Sequence, residues 1–289
     1  MQQQQVVDRW NAAIADVLAR VDATLGDATA GSQELIERLG PDLGPLTQPW
    51  GAVKHQMHQY SGEISDTWNR ISEEFSAVRD LPEGTTWREG GKRNWTTREI
   101  EIRHTRAYRL TMGAAADVLR DRALQADART RMCRRCGASL DHIRLSGMAL
   151  NVECGYCLAV NTIEPGPALR MFAVTGAMWL AERQALGLWE AMTRAHGQIK
   201  DYRDSKDVPL ELLREYERVS RGYWTERLTA EADFAPEQRP FVAQKIDSYM
   251  KGVNKTLRQH WQWRQLAGGQ TSVSGPRPSA SGPWPDASR

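Results

Sequence analysis

The 289-residue chain has only four cysteines, and all of them fall in one short window. They read Cys133-Arg134-Arg135-Cys136, then 17 residues, then Cys154-Gly155-Tyr156-Cys157. Two CxxC pairs leave no cysteine over for a disulfide framework or a nucleophile. Each CxxC is short and turn-forming, so both of its thiolates can face one ion. A second pair arriving from a separate hairpin closes a four-sulfur shell. Zinc takes such a shell as a tetrahedron, with each sulfur at about 2.3 Å, and with every position filled by protein the ion serves folding rather than catalysis. The expectation is one structural zinc on Cys133, Cys136, Cys154 and Cys157. Four thiolates can also hold iron. A redox dithiol needs only one CxxC, usually beside a thioredoxin-like βαβ pattern that is missing here.

The residues between the pairs suit a ribbon. His142–Leu145 and Ala149–Val152 read as two short strands turned at Ser146-Gly147, while Gly137 follows the first pair and Gly155 lies inside the second. Cys133-x-x-Cys136-Gly137-Ala138-Ser139-Leu140, Val152-Glu153-Cys154-Gly155-Tyr156-Cys157 and Ala159-Val160-Asn161-Thr162 together resemble the four-cysteine zinc ribbons. The resemblance covers residues 132–166 and implies antiparallel strands with zinc held between two cysteine-bearing knuckles. It reaches no other part of the chain. Arg134 and Arg135 stand in the first knuckle, where small or aromatic residues are frequent in such ribbons. Cations beside thiolates favour loss of the thiol proton.

Other constellations fall short of a site. Glu101-x-x-His104 is half of a di-iron motif, which needs a second ExxH that this chain lacks. His55 and His58 share a helix face with no acidic companion before Glu63. Lys92 follows two glycines, but Arg93 stands where a phosphate loop requires Ser or Thr. There is no GxGxxG opening a helix, no GxSxG and no HExxH. Basic and aromatic residues interleave from Trp87 to Arg109, and Arg131, Arg134, Arg135 and Arg144 carry the basic character into the ribbon. Such a stretch suits phosphate contacts and base stacking. It equally suits a solvated helix face lying opposite an acidic segment. Trp284, between Pro283 and Pro285, has the look of a short docking peptide.

The elements that must position the ribbon are helical. Val7, Trp10, Ile14, Val17, Val21 and Leu25 recur in steps of three and four, like a heptad seam. A short helical piece is expected after Ser32 as its N-cap, and the Pro- and Gly-rich stretch 40–51 as a connection. Periodicity resumes from Val53 through Trp68 to Val78, which makes residues 1–80 a coiled-coil-like antiparallel hairpin burying Trp10 and Trp68. Residues 81–95 read as a short β-hairpin or a glycine loop, with helix resuming at Thr96 under a Thr96/Glu99 capping box. Residues 81–131 thus form a basic loop and helix. After the ribbon, helices are expected at about 167–203, 209–230 and from 241 on, so that 167–267 is a C-terminal helical unit. The Gly-, Ser- and Pro-rich residues 268–289 read as a disordered tail. The fold class is mostly α, a helical bundle with a small β zinc ribbon inserted at the tip of a hairpin.

Composition agrees with a globular chain: 40% hydrophobic and 26% charged residues. The longest apolar uncharged run, Met171–Ala181, is 11 residues, against the roughly 20 a membrane helix needs. The opening Met1-Gln2-Gln3-Gln4-Gln5 lacks the basic and apolar regions of a secretory signal. The net charge of +2 hides blocks: −6 over residues 1–80, +6 over 81–145, −3 over 146–240 and +5 over 241–289. Blocks of this size neutralise one another within a fold or dock an oppositely charged partner. The reading that follows is a non-enzymatic scaffold or adaptor in a reducing cytoplasm, using a structural zinc ribbon to bind a protein partner. The alternatives are a nucleic-acid binder working through the ribbon and residues 88–144, and an enzyme with no recognisable motif.

Overall fold

The computed structural model describes residues 2–38, 43–78, 82–128, 132–140, 147–202, 206–260, 262, 263 and 265. Helices α1 (Gln2–Arg38), α2 (Gly44–Ala77) and α3 (Thr85–Ala128) precede the strands β1 (Leu150–Glu153) and β2 (Val160–Ile163). Then come α4 (Pro167–Met171), a π turn (Phe172–Gly176), α5 (Ala177–Gln184), α6 (Leu186–Lys200), α7 (Leu210–Phe234), a 3-10 turn (Pro236–Phe241) and α8 (Val242–Leu257). The protein is a mostly helical bundle with a small β insertion.

Trp10 shows how the first three helices meet. Its indole is fully buried, lies 5.5 Å from the Trp68 ring of α2, and donates from Nε1 to the Glu89 carbonyl of α3 at 3.1 Å. As residue number rises along α1 its partner on α2 falls, through Arg9–Glu74, Arg20–Glu63, Thr24–Tyr60 and Ser32–Trp50, so α1 and α2 are antiparallel. Lys92 reaches Asn11 and Arg103 reaches Asp22, so α3 runs parallel to α1. The apolar stripe Trp10, Ile14, Val17, Val21 and Leu25 faces this core, as its spacing requires.

Several expected boundaries move. α1 does not break at Ser32, because the stripe continues through Ser32 to the buried Ile36. The Ser32 hydroxyl donates back to the Ala28 carbonyl at 2.7 Å and accepts the Trp50 indole N–H at 3.1 Å, so it is satisfied mid-helix rather than capping. α2 begins at Gly44, inside the stretch read as a connection. Pro45 sits in the first turn, where no amide is needed, and Leu46 and Trp50 extend the buried face upstream. The β-hairpin or loop expected at 81–95 is helix from Thr85. A Cβ on Gly90 would lie 2.9 Å from Trp68 Cζ2, so the glycine is there to admit an indole, not to turn the chain. Thr96 donates its hydroxyl to the Lys92 carbonyl at 2.8 Å inside that continuous helix, and caps nothing.

The helix expected over 167–203 is interrupted twice. The π turn places the Phe172 ring over Gly176, where a Cβ would meet Cδ2 at 2.5 Å. A second break falls at Ala185, between α5 and α6. Ion pairs Arg98–Asp201, Arg106–Glu190 and Arg109–Glu182 run in opposite senses, so α5 and α6 descend antiparallel to α3. α7 and α8 close the bundle, with Trp224 stacked on Tyr249 at 3.8 Å. The β insertion lies between α3 and α4. Gly147 at its base packs so closely on Ala173 of the π turn that a Cβ would come within 2.5 Å of the alanine methyl. The tail 268–289 lies outside the described residues.

Candidate metal centre

The two CxxC segments fold into near-identical knuckles. In the first, the Cys133 N–H donates to the Ala138 carbonyl at 2.8 Å and the Gly137 N–H to the Cys133 carbonyl at 2.9 Å. In the second, the Cys154 N–H donates to the Ala159 carbonyl and the Leu158 N–H to the Cys154 carbonyl, both at 2.9 Å. Each knuckle turns the chain through one left-handed residue just after its second cysteine: Gly137 at φ +73° and Leu158 at φ +60°. Glycine takes that conformation freely, whereas leucine gives up about 1 kcal/mol to hold it. Gly155, expected to serve the second turn, does not occupy this position.

β1 and β2 flank the second knuckle as an antiparallel pair in the register Leu150↔Ile163 to Glu153↔Val160. A lone bridge, Met132↔Ser139, does the same for the first. The strand expected at Ala149–Val152 is present, displaced by one residue. Its expected partner, His142–Leu145, lies outside the described residues; the observed partner is β2.

Facing each other, the knuckles bring all four Sγ atoms within 4.8 Å of one another. Cys133 Sγ lies 3.5 Å from Cys157 Sγ, and Cys136 Sγ lies 3.7 Å from Cys154 Sγ. Four thiolates about 2.3 Å from a central ion would stand about 3.8 Å apart. The cluster therefore has the dimensions of a tetrahedral metal shell. Among the described residues it is the one group of metal-ligating side chains so arranged. Cys133 and Cys154 are buried, Cys157 is half-buried and Cys136 is exposed.

Backbone amides make the two inner sulfurs good anions. The Cys136 N–H, with that of Arg135 behind it, draws the Cys133 thiol down to about 6. The amides of Cys157 and Tyr156 lower Cys154 in the same way. Cys136 accepts from the Ala138 amide, yet desolvation and the neighbouring thiols of Cys157, Cys133 and Cys154 push it up to about 12. The cluster thus holds its protons unequally, and a cation at its centre would displace the last of them.

One residue of the centre was not among its expected ligands. Asn161 is buried on β2, where its Oδ1 accepts the Arg134 amide of the first knuckle at 2.9 Å. Its Nδ2 donates to the Ala159 carbonyl at 2.9 Å and points at Cys133 Sγ from 3.6 Å. A carboxamide from the second knuckle thereby fixes the first. The only hint in the sequence is a polar residue at the inward position of the Val160–Ile163 alternation.

The Arg134 and Arg135 side chains are exposed on the first knuckle and make no hydrogen bond or ion pair among the described residues. Arg131, Arg144 and Trp284 lie outside the described residues. His55 and His58 are exposed on α2, and His104 packs against Trp50 and Tyr108 rather than into a metal cluster. The basic stretch of α3 is largely engaged. Lys92 pairs with Glu89 at 2.6 Å, Arg98 with Asp201 at 2.9 Å, Arg103 with Asp22 at 2.7 Å, Arg106 with Glu190 at 2.9 Å and Arg109 with Glu182 at 3.0 Å. The acidic hairpin α1–α2 does pack on α3. Most of these partners nevertheless come from α5, α6 and the residue after α6. Among the described residues no helix is long and apolar enough to cross a membrane. No protein family, curated protein or solved structure matches the chain.

Proposed function

We propose that Cys133, Cys136, Cys154 and Cys157 hold one structural zinc ion, and that the chain is a non-enzymatic adaptor whose ribbon binds a protein partner. The observation that carries this reading is the closed shell: four sulfurs within 4.8 Å on two matched knuckles. Such a shell leaves no ligand position for a substrate or a water, so the ion's work is to hold the knuckles together. Four free thiols this close suit a reducing compartment, the cytoplasm among them. The pairing of the α3 arginines with carboxylates of the same chain supports a protein partner over nucleic acid, whose backbone needs cations left over.

Elemental analysis of the purified chain tests the metal. About one equivalent of zinc is expected, falling to near zero in Cys154→Ser while the far-ultraviolet helical signal persists. Iron in place of zinc, with the visible absorption of ferric thiolates, would replace the ion in this reading. Full zinc occupancy in Cys154→Ser would refute the site.

A further inference from the structure

The second knuckle carries a feature that the metal does not explain. Leu158 holds a left-handed backbone at φ +60° with its side chain 69% exposed, while Gly137 holds the matching place in the first knuckle. Neither backbone ease nor burial accounts for a leucine there, and strained residues of this kind gather where proteins bind. It has company. Tyr156 is 83% exposed, Val160 68%, and Met132 on the first knuckle 55%. These are large apolar side chains on a small module whose two halves are joined through four sulfurs. Apolar groups gathered in the open, with tyrosine, methionine and arginine among them, have the make-up of a contact surface.

We infer that Tyr156, Leu158 and Val160 of the second knuckle, together with Arg134 and Arg135 of the first, which Asn161 ties to it, dock an acidic, apolar segment of a protein partner. The inference rests on the adaptor reading of the ribbon and adds the partner's chemistry to it. Guanidinium groups with no ion pair of their own suit carboxylates, which they bind in a two-point fork. Phosphates would suit them too, but Leu158 and Val160 are aliphatic, which leaves Tyr156 as the single ring of this set on which a base could stack. A partner side chain that covers Leu158 removes from water the apolar surface the fold leaves open.

Selection of random displayed peptides of about 12 residues against the full zinc-loaded chain tests this. The expected winners combine Asp or Glu with Leu, Ile or Phe. Their dissociation constants should rise about tenfold or more in the Arg134→Glu/Arg135→Glu double variant and in Leu158→Gly. Leu158→Gly touches no ligand and eases the backbone, so its loss of binding cannot be assigned to misfolding. Zinc content is measured on every variant. One equivalent of zinc with no peptide selected, with winners lacking acidic residues, or with binding unchanged in both variants overturns the docking inference and leaves the metal reading standing. Wild-type protein without zinc that still selects acidic–apolar peptides overturns the metal reading and leaves the surface. A single-stranded oligonucleotide that binds more tightly than any peptide, with a steep salt dependence lost in the double variant, overturns the inference in favour of nucleic acid.

Discussion

Leu158 and Gly137 occupy the same place in two knuckles that repeat each other hydrogen bond for hydrogen bond, one at φ +60° and the other at φ +73°. The pair gives a matched stability test within one molecule. Leu158→Gly should stabilise the β insertion by about 1 kcal/mol, less what the freer unfolded glycine takes back. Gly137→Leu should destabilise it by about the same amount. Hydrogen exchange at the amides of residues 137 and 158, and the rate of zinc loss to a chelator, should move in opposite directions in the two variants. Equal behaviour would mean that the turn does not strain its leucine.

Asn161 should matter to the metal while mattering little to the helices. Asn161→Ala removes the acceptor for the Arg134 amide and the donor facing Cys133 Sγ, and it leaves all four cysteines in place. Loss of such an outer contact lowers metal affinity by about 10- to 100-fold. A zinc competition titration should show that drop while helical ellipticity and the thermal midpoint of the body stay close to wild type. Asn161→Asp keeps an acceptor for Arg134 but turns an anion toward a thiolate, so it should bind zinc no better than the alanine variant.

What could be read in the sequence was whatever repeats locally. The spacing of Trp10, Ile14, Val17, Val21 and Leu25 points to a buried helical face, and that face is buried. Two CxxC pairs point to a four-sulfur cluster, and the sulfurs converge. The misreadings share one cause, a partner distant in the chain. Gly90-Gly91 looks like a turn until Trp68 is known to lie against Gly90. Ser32 looks like a cap until the Trp50 indole is known to donate to it. Asn161 matters through the knuckle it faces, whose Arg134 amide it accepts across 27 residues of chain. None of these relations leaves a periodic trace.

Gly90 and Gly62 separate the two roles a helical glycine can have. A methyl at Gly90 would sit 2.9 Å from Trp68, whose indole is already packed on Trp10 and Phe75 and has nowhere to go. Gly90→Ala should destabilise the chain by about 1–3 kcal/mol through overpacking. Gly62 lies exposed on α2 with open space where its Cβ would be, so Gly62→Ala should stabilise by up to about 1 kcal/mol. Urea unfolding followed by circular dichroism gives both values. Stabilisation by both would show that the α2–α3 contact is looser than Trp68 packs it.

Glu182 on α5 is where α3, α5 and α7 are electrostatically joined. Its carboxylate accepts the Tyr223 hydroxyl at 2.8 Å, pairs with Arg109 at 3.0 Å and takes the Arg227 guanidinium at its other oxygen. All three partners are largely withdrawn from water, and burial together with Glu182 pushes the Tyr223 hydroxyl well above its ordinary value, so it stays a donor. Arg109 also lies over the Trp189 ring at 4.3 Å, which fixes it without neutralising it. Glu182→Gln removes the anion and keeps the volume, leaving Arg109 with no carboxylate and Arg227 with only Glu231 at 3.6 Å. Breaking one side of a buried pair costs roughly 3–5 kcal/mol, because the stranded charge stays buried. Calorimetry should show that loss as a lower unfolding temperature. Arg227→Met on the Glu182→Gln background should recover part of it by removing one stranded cation. An additive double variant, as unstable as the two single losses together, would show that Glu182 and Arg227 act independently and that the join runs through Arg109 and Tyr223 alone.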